Sequence, residues 1–146
     1  MKSIEKYYNN IENGIEEKSC GCIILDNDKV LLIEQVDGNW GFPKGHIEPN
    51  ETEVETAIRE VKEETNVDVE IEEGKRYTIE YITNRGKRKQ VVFFIAKNIS
   101  GEIKAQESEI NNIKWFGFED ALQKITYDNT KILFKKILED NKAIKI

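Results

Sequence analysis

Cysteine is scarce in this chain, and the two cysteines that it has stand close together in one apolar run. Cys20 and Cys22 are the only cysteines among 146 residues. Residues at this spacing share one face of a strand, where they do not readily form a disulfide. A zinc site would need further ligands, which are absent around them. We therefore expect two buried free thiols in a reducing, cytoplasmic protein.

Long hydrophobic runs and an excess of positive charge are also missing. No apolar run approaches the roughly 20 residues of a membrane span, and residues 1–18 are too polar for a signal peptide. The net charge is -6 and the pI is near 5.0. Broad attachment to nucleic acid or to an anionic membrane is therefore not expected. An anionic small-molecule substrate would have to be met by metals or by a few basic residues.

The chain also lacks repeats and low-complexity linkers, and its length fits one domain with a real core. Runs rich in β-forming residues at 19–25 and 29–35 flank Asp26-Asn27-Asp28, which is typical of a hairpin. The other expected elements are strands at 67–82 (interrupted near Glu73-Gly74), 90–98 and 113–117, and helices at 52–65, 119–124 and 130–140. Hairpins with few helices between them predict a mixed sheet packed between helices.

The first eighteen residues stay outside this scheme. Their apolar positions fit either a helical stripe or an ordered extension; they are Ile4, Tyr7, Tyr8 and Ile11. We therefore divide the chain into an extension, 1–18, and a single domain, 19–146.

The most informative segment is the predicted helix at 52–65. Glu60, Glu63 and Glu64 crowd onto it, with Arg59 beside them. Like charges three or four residues apart on a helix repel each other and destabilise it. A divalent cation would offset this repulsion, since hard cations such as magnesium bind carboxylate and phosphate oxygens. The segment predicts a metal site for phosphate chemistry; the alternative is the solvated acidic face of a surface helix.

Helical periodicity places these acids beside a core-facing stripe. The residues with the spacing of that stripe are Val54, Ile58, Val61 and Thr65. Thr52 and Glu55 have the form of a capping box at the start of the helix. Asn66 stands where the helix should stop, and asparagine tolerates the left-handed conformation common at such stops. The acidic side is therefore expected at the margin of a cleft.

The segment from Gly45 to Val67 resembles the Nudix box, Gly-x5-Glu-x7-Arg-Glu-U-x-Glu-Glu-x-Gly-U, where U is aliphatic. The matching residues are Gly45, Glu51, Arg59, Glu60, Val61, Glu63, Glu64 and Val67. One position departs, since Asn66 replaces the last glycine, and this removes no metal ligand. The resemblance implies an α/β fold, the Nudix α/β/α sandwich with a mixed β-sheet, and hydrolysis of a phosphoanhydride.

The resemblance also implies roles for the residues of the box. In the family, the glutamates that match Glu60, Glu63 and Glu64 hold magnesium or manganese, and we expect two or more such ions. The residue at the place of Glu51 supports the loop and helix, and Arg59 orients the neighbouring carboxylates. Bound cations lower the pKa of water and shield the phosphates from the incoming nucleophile.

Residues outside the box resemble asymmetrical diadenosine tetraphosphate hydrolases. The segment from Trp40 to Glu48 is similar to their Trp-x-x-Pro-Lys-Gly-His-x-Glu motif, and so is the later run Gln106-Glu107-Ser108-Glu109. The resemblance implies that Glu109 faces the metals as a ligand or general base, with Glu107 as the alternative. It places Lys44 and His46 near phosphate rather than giving the only histidine a catalytic role.

Two further positions extend this resemblance to the substrate. Tyr81 matches an aromatic residue that stacks on a nucleobase, and Lys89 matches a basic strand start that touches phosphate. The alternatives are a tyrosine that only packs across the sheet and an ordinary solvated hairpin tip. That tip carries Arg85, Lys87, Arg88 and Lys89.

The expected reaction is metal-dependent cleavage of a dinucleoside tetraphosphate into a nucleoside triphosphate and a monophosphate. Three alternatives stay open: a MutT-like pyrophosphohydrolase that removes damaged nucleoside triphosphates, an RNA 5′-pyrophosphohydrolase, and a nucleotide-sensing Nudix domain without activity. The expected partner is a small nucleotide, with an RNA 5′ end as the exception, and no membrane. The sequence leaves the oligomeric state open between monomer and dimer.

Overall fold

A long strand, β1, organises the sheet in the computed structural model, which describes residues 14–141. The strands are β1 (Glu17–Asp26), β2 (Lys29–Gln35), β3 (Trp40–Gly41), β4 (Lys44–His46), β5 (Asp68–Ile82), β6 (Arg88–Ser100) and β7 (Ile110–Gly117). β1 runs parallel to β6 along one edge. Its other edge pairs antiparallel with the start of β2 and with β4. The expected mixed sheet is confirmed.

Within residues 14–141, three helices cover the two faces of this sheet. They are α1 (Glu53–Thr65), α2 (Phe118–Lys124) and α3 (Asp128–Asp140). One buried cluster joins Ala57 and Val61 of α1 to Cys20 and Cys22 of β1. The other cluster packs α2 and α3, with Phe134 at its centre, against the opposite face. The chain therefore forms the α/β/α sandwich that the resemblance implies.

The ends of α1 follow local sequence rules. Thr52 caps the helix by accepting a hydrogen bond from the backbone N–H of Glu55, whose side chain accepts one from the Thr52 N–H. Asn66 ends the helix in the left-handed region, with φ 67°. Both expectations are confirmed, because capping depends on residues only three or four positions apart.

The buried face of α1 differs from the predicted stripe. Val61 and Thr65 are buried, but Val54 and Ile58 are 37% and 39% exposed. The buried residues are Glu53, Thr56, Ala57, Val61, Glu64 and Thr65. Near its start, the helix is rotated about its own axis by about one residue relative to the predicted stripe. It takes this orientation because cations from other elements satisfy the buried carboxylate of Glu53.

Glu53 joins α1 to two strands through charged hydrogen bonds. Its carboxylate accepts from the buried ammonium of Lys18 in β1. It also accepts from Arg76 in β5 at 2.8 and 2.9 Å. Burial acts to raise the pKa of Glu53, but hydrogen bonds from Arg76 and Lys18 outweigh it and hold that pKa at about 2. A buried carboxylate with two cationic partners stays ionised.

Other predicted elements agree with the structure apart from their ends. The interruption in β5 is a register shift between Ile71 and Arg76. The structure starts β7 at Ile110 and α3 at Asp128, earlier than predicted, and it adds the short strands β3 and β4. The cysteines are buried and unpaired, as expected, and burial raises the pKa of each thiol to about 12.

The first strand begins inside the predicted extension. Glu17 and Lys18 already belong to β1, although they fall in the predicted extension. The possible helical stripe at residues 4–11 lies outside the described residues, so the boundary after residue 18 stays a prediction. Within residues 14–141, the structure has no helix long and apolar enough to cross a membrane.

Replacing Glu53 by glutamine should lower the free energy of unfolding by about 3 kcal/mol at pH 7, because two cations lose their counter-charge. The pKa of Glu53 is lowered from 4.5 to about 2 in the folded chain. Its contribution to stability is therefore present above pH 4.5 and is lost as the pH falls towards 2. Urea unfolding should show that the difference in the free energy of unfolding between wild type and Glu53→Gln becomes smaller over that range.

The matched control is Glu70→Gln. Glu70 and Lys97 form an exposed ion pair at 3.1 Å, and such pairs contribute less than about 1 kcal/mol. Equal losses for the two variants, or a gap that widens on acidification, would contradict the role of Glu53.

Candidate active site

The acids of α1 meet the segment that precedes the helix at β4. The backbone N–H of Lys44 donates to Glu64 Oε1 at 2.9 Å. Gly45 lies so close to Glu60 that a Cβ placed on it would stand 2.0 Å from the Glu60 carboxyl carbon. A side chain here would fit only if the Glu60 carboxylate moved. The first glycine of the box thus has a steric reason: the Glu60 carboxylate occupies the space beside the β4 backbone.

Arg59 is the centre of the acidic cluster. Its guanidinium donates to Glu51 at 2.5 and 2.9 Å, to Glu60 at 3.1 Å and to Glu63 at 3.2 Å. A further bond of 3.0 Å reaches the backbone carbonyl of His46. Hydrogen bonding from Arg59 is the main cause that lowers the pKa of Glu51 to about 2. One cation therefore holds the acids of α1 against the segment that carries β4.

Glu51 is a structural partner in this cluster. Besides Arg59, its carboxylate accepts from the Thr56 hydroxyl at 2.7 Å and from the Glu48 backbone N–H at 3.0 Å. These bonds close the turn that leads into α1. Both carboxylate oxygens of Glu51 are thereby engaged, which leaves the metal-binding role to the other acids.

The charge of Glu60 and Glu64 is only partly balanced. Burial raises the pKa of Glu64 to about 8, and the neighbouring Glu60 adds to the rise. Burial likewise raises the pKa of Glu60, although Arg59 acts against it. The charge of Glu109 contributes to both shifts, so its carboxylate lies within electrostatic reach of this pair. Buried oxygen donors with excess negative charge fit a hard divalent cation.

No group of three or more carboxylate, histidine or cysteine side chains within the described ranges is already arranged to hold a metal ion. Arg59 accounts for this, because its guanidinium forms ion pairs with both Glu60 and Glu63. Binding of a cation requires Glu63, which is half exposed, to turn away from Arg59. The metal set of Glu60, Glu63, Glu64 and Glu109 stays a prediction.

Glu109 lies at the end of a loop that packs on the end of α1. We name residues 101–109 the Glu109 loop. The backbone N–H of Lys104 donates to the Thr65 carbonyl at 3.0 Å, and that of Gln106 donates to the Glu64 carbonyl at 3.4 Å. The Glu109 carbonyl accepts from the N–H of Val36 at 3.0 Å. These bonds place Glu109 beside the acids from which it is separated by some fifty positions in sequence.

Two lysines, Lys44 and Lys89, lie beside the acids, and we name this pair the cationic floor. Lys44 and Lys89 form no ion pair with any other residue of the part that the structure describes. Burial lowers the pKa of both, and with the nearby charge of Lys44 it brings that of Lys89 to about 8. Burial and the charge of Lys89 also lower the pKa of His46. An anion placed among these three groups would be stabilised.

The other cations of the hairpin tip differ from Lys89. Arg85, Lys87 and Arg88 are exposed and lie in ion pairs with Glu17, Glu16 and Glu80 respectively. Their charges are therefore largely balanced by the chain itself. Of the four predicted hairpin cations, only Lys89 is buried without an acidic partner in the described part of the chain.

Two tyrosines lie near the lysines of the cationic floor. Tyr81 is 38% exposed and lies opposite Lys89 in the β5–β6 pairing, so both side chains share one face. Tyr127, at the N-terminus of α3, is close enough to contribute to the raised pKa of Tyr81, after burial. It lines a small cavity together with Trp40, Lys44 and Phe93. Sequence reasoning missed Tyr127, because its approach to β5 depends on how α3 packs.

Gly45→Ala should weaken the binding of Mn²⁺ at least about tenfold, because the new methyl group displaces the Glu60 carboxylate. The matched control is Gly41→Ala in the same segment, where an added Cβ would meet nothing within 4 Å. Titration calorimetry on both variants measures the difference, and thermal unfolding checks that both fold. If Gly45→Ala binds Mn²⁺ with unchanged affinity, Glu60 does not belong to the cation site.

Comparisons with known proteins agree with this geometry. The NUDIX domain model matches residues 16–136. The asymmetrical bis(5′-nucleosyl)-tetraphosphatase of Mus musculus is 34% identical over 131 residues, which cover 78% of this chain and 88% of that protein. The protein of the same name from Caenorhabditis elegans is 37% identical over 101 residues, covering 67% of this chain and 72% of the other.

A solved structure extends the likeness to the whole fold. The crystal structure of a binary complex of C. elegans Ap4A hydrolase aligns with a TM-score of 0.77 and 31% identity, covering 88% of this chain and 99% of that one. A NUDIX hydrolase from Nitrosomonas europaea aligns with a TM-score of 0.74 and 27% identity, covering 88% and 73%. Members of this family generally use divalent metal ions. With its box, its sandwich and its acid cluster, the chain belongs to the Nudix hydrolase family.

Proposed function

We propose that this Nudix hydrolase cleaves a dinucleoside tetraphosphate into a nucleoside triphosphate and a nucleoside monophosphate. The observation that carries the proposal is the cationic floor, where the buried Lys89 and the partly buried Lys44 form no ion pair with another described residue. In a chain of net charge -6, such lysines can attract an anion. The names of the mouse and nematode relatives support the same substrate class.

The cationic floor would hold the phosphate chain. Lys44 is tied to Glu64 through its backbone, so its ammonium group lies next to the acidic cluster. Lys89 lies farther along the sheet, opposite Tyr81. A chain of several phosphates can therefore run from the acids past Lys44 and His46 to Lys89. Ammonium groups bind phosphates as point charges, which suits a flexible polyphosphate.

The two tyrosines would receive one nucleobase. Tyr81 and Tyr127 are both substantially exposed at the cleft. The Tyr127 hydroxyl accepts a hydrogen bond from Asn39 Nδ2 at 2.9 Å, which fixes the ring. Base stacking on an aromatic ring contributes roughly 1–3 kcal/mol. Tyr81 was predicted for this role, and Tyr127 adds a second ring to the proposal.

The acids would hold the metal ions. Glu60, Glu63, Glu64 and Glu109 offer the oxygen donors, and we expect two or more Mg²⁺ or Mn²⁺ ions. When bound, these ions neutralise the charge that spreads over the phosphate oxygens and the leaving group. Arg59 would keep Glu60 in place through its hydrogen bond, whereas Glu63 would leave Arg59 to bind a metal ion.

A carboxylate of the chain would accept the proton of the attacking water. Glu109 or a box glutamate takes a proton from the attacking water while the water oxygen bonds to one phosphorus in line with the leaving phosphate. The bridging P–O bond breaks, and the leaving phosphate departs with the remaining nucleotide. Burial raises the pKa of Glu64 to about 8, and a cation bound beside it would lower that pKa and keep the carboxylate ionised.

The decisive experiment incubates the chain with Mg²⁺ and a panel of nucleotides and separates the products by chromatography. Triphosphate plus monophosphate from a dinucleoside tetraphosphate is the expected result. Release of pyrophosphate from a nucleoside triphosphate, conversion of an RNA 5′ triphosphate, or no turnover would each contradict the proposal. These four outcomes are mutually distinct.

Glu63→Gln and Glu64→Gln should each lower kcat by roughly 100-fold or more without unfolding the domain, the order that one preorganised electrostatic group contributes. Glu72→Gln is the control, since Glu72 is exposed and pairs only with Lys75. Steady-state kinetics together with thermal unfolding make the measurement. Near-normal rates in both variants would reject these residues as metal ligands.

The affinity for the substrate should fall as the pH rises. Lys89 loses its proton near pH 8, and a bound phosphate raises that pKa further, so KM is expected to increase above pH 8. Lys89→Arg keeps its charge and should flatten this rise, whereas Lys89→Met should raise KM at every pH. Lys87→Met, at an exposed position, is the control. If KM still rises with pH in Lys89→Arg, a group other than Lys89 causes the pH dependence.

A further inference from the structure

Asn66 stands where the box of the family has its last glycine. It adopts the left-handed conformation that glycine would supply there. Unlike glycine, it also carries an amide group. The amide Nδ2 donates a hydrogen bond of 2.9 Å to the backbone carbonyl of Glu102. The departure from the motif thus adds a contact that a glycine could not make.

Glu102 is near the start of the Glu109 loop. The loop contacts the end of α1 through three hydrogen bonds, from Asn66 to Glu102, from Lys104 to Thr65 and from Gln106 to Glu64. The last two are donated by loop backbone N–H groups to carbonyls that the helix leaves without partners at its end. Only the first uses a side chain.

The loop approaches the helix end very closely at its first residue. A Cβ at Gly101 would stand 2.5 Å from the backbone oxygen of Asn66, and Gly101 has φ +99°. The chain therefore passes directly over Asn66 before it turns towards the acids. The amide of Asn66 holds the loop at the point where its course to Glu109 begins.

The other end of the loop is held separately. The Glu109 N–H donates to the Gln106 carbonyl at 3.0 Å, and the Glu109 carbonyl accepts from Val36. Between these two ends, the backbone of Lys104 and Gln106 must stay against α1 for Glu109 to face Glu60 and Glu64. Loss of the bond at Glu102 would loosen the first half of this loop.

We propose that Asn66 is a positioning residue that fastens the Glu109 loop to the end of α1 and so keeps Glu109 directed at the acids of the box. The role rests on the proposed function of Glu109 in hydrolysis. It is a property of this chain, because the amide is absent from the glycine that the motif specifies.

The test is Asn66→Gly, with Asn27→Gly as the matched control. Both asparagines have a positive φ, 67° and 57°, so glycine relieves backbone strain in each case. Asn27 lies in the turn between β1 and β2 and makes no bond to the Glu109 loop. Neither variant is expected to unfold the protein. Asn66→Asp serves as a second variant, since it keeps the side-chain shape but has no N–H to donate.

The first readout is hydrogen exchange of the backbone amides of Lys104 and Gln106 in the whole chain. Exchange at both should accelerate roughly 3- to 10-fold in Asn66→Gly and Asn66→Asp, the factor that one ordinary hydrogen bond is worth. Asn27→Gly should leave it unchanged. Unchanged exchange in both Asn66 variants would overturn the proposal, whether or not the protein hydrolyses any nucleotide.

The second readout is kinetic. Asn66→Gly should lower kcat by roughly 3- to 10-fold and leave KM nearly constant, because it affects Glu109 rather than the lysines or tyrosines. In a Glu109→Gln background the same substitution should have no further effect. An equal loss in that background would overturn the proposal, since Asn66 would then act through α1. If the wild type cleaves no dinucleotide, the proposed function fails, and the exchange rates alone decide the role of Asn66.

Discussion

The structure depends on one guanidinium group that donates hydrogen bonds to three carboxylates. Arg59 binds Glu51 with two hydrogen bonds and reaches Glu60, Glu63 and the His46 carbonyl as well. Without a cation at this place, acids one turn apart would repel each other along α1. Arg59 removes enough of this repulsion for the helix to form, while the raised pKa values of Glu60 and Glu64 show that it leaves some negative charge unbalanced.

The same balance explains how an acidic protein can accept a polyanion. Most basic residues near the cleft are already neutralised, as Arg85 is by Glu17. Lys44 and Lys89 are the exceptions within the described structure, and burial lowers the pKa of each. Under the proposed function, anion binding would thus be confined to a short path beside the acids, and the negative surface elsewhere disfavours unspecific contact with nucleic acid.

The sequence predicted what depends on neighbouring residues and missed what depends on packing. The cap at Thr52, the left-handed Asn66 and the limits of α1 are local features, and they were confirmed. The exposed positions of Val54 and Ile58 were not predicted, because they depend on the bonds of Lys18 and Arg76 to Glu53. Tyr127 and the ion pairs of the hairpin tip were not predicted either, because their partners lie far away in sequence.

The hairpin of β5 and β6 supports Tyr81 and Lys89, whereas α1 and β4 support the carboxylates. Arg76, just after the β5 bulge, joins the hairpin to the first turn of that helix. Under the proposed function, the stacking of a base on Tyr81 and the hydrolysis at the carboxylates would therefore rest on different elements. Substitutions near the hairpin tip would then change which nucleotides bind without altering the carboxylates of α1.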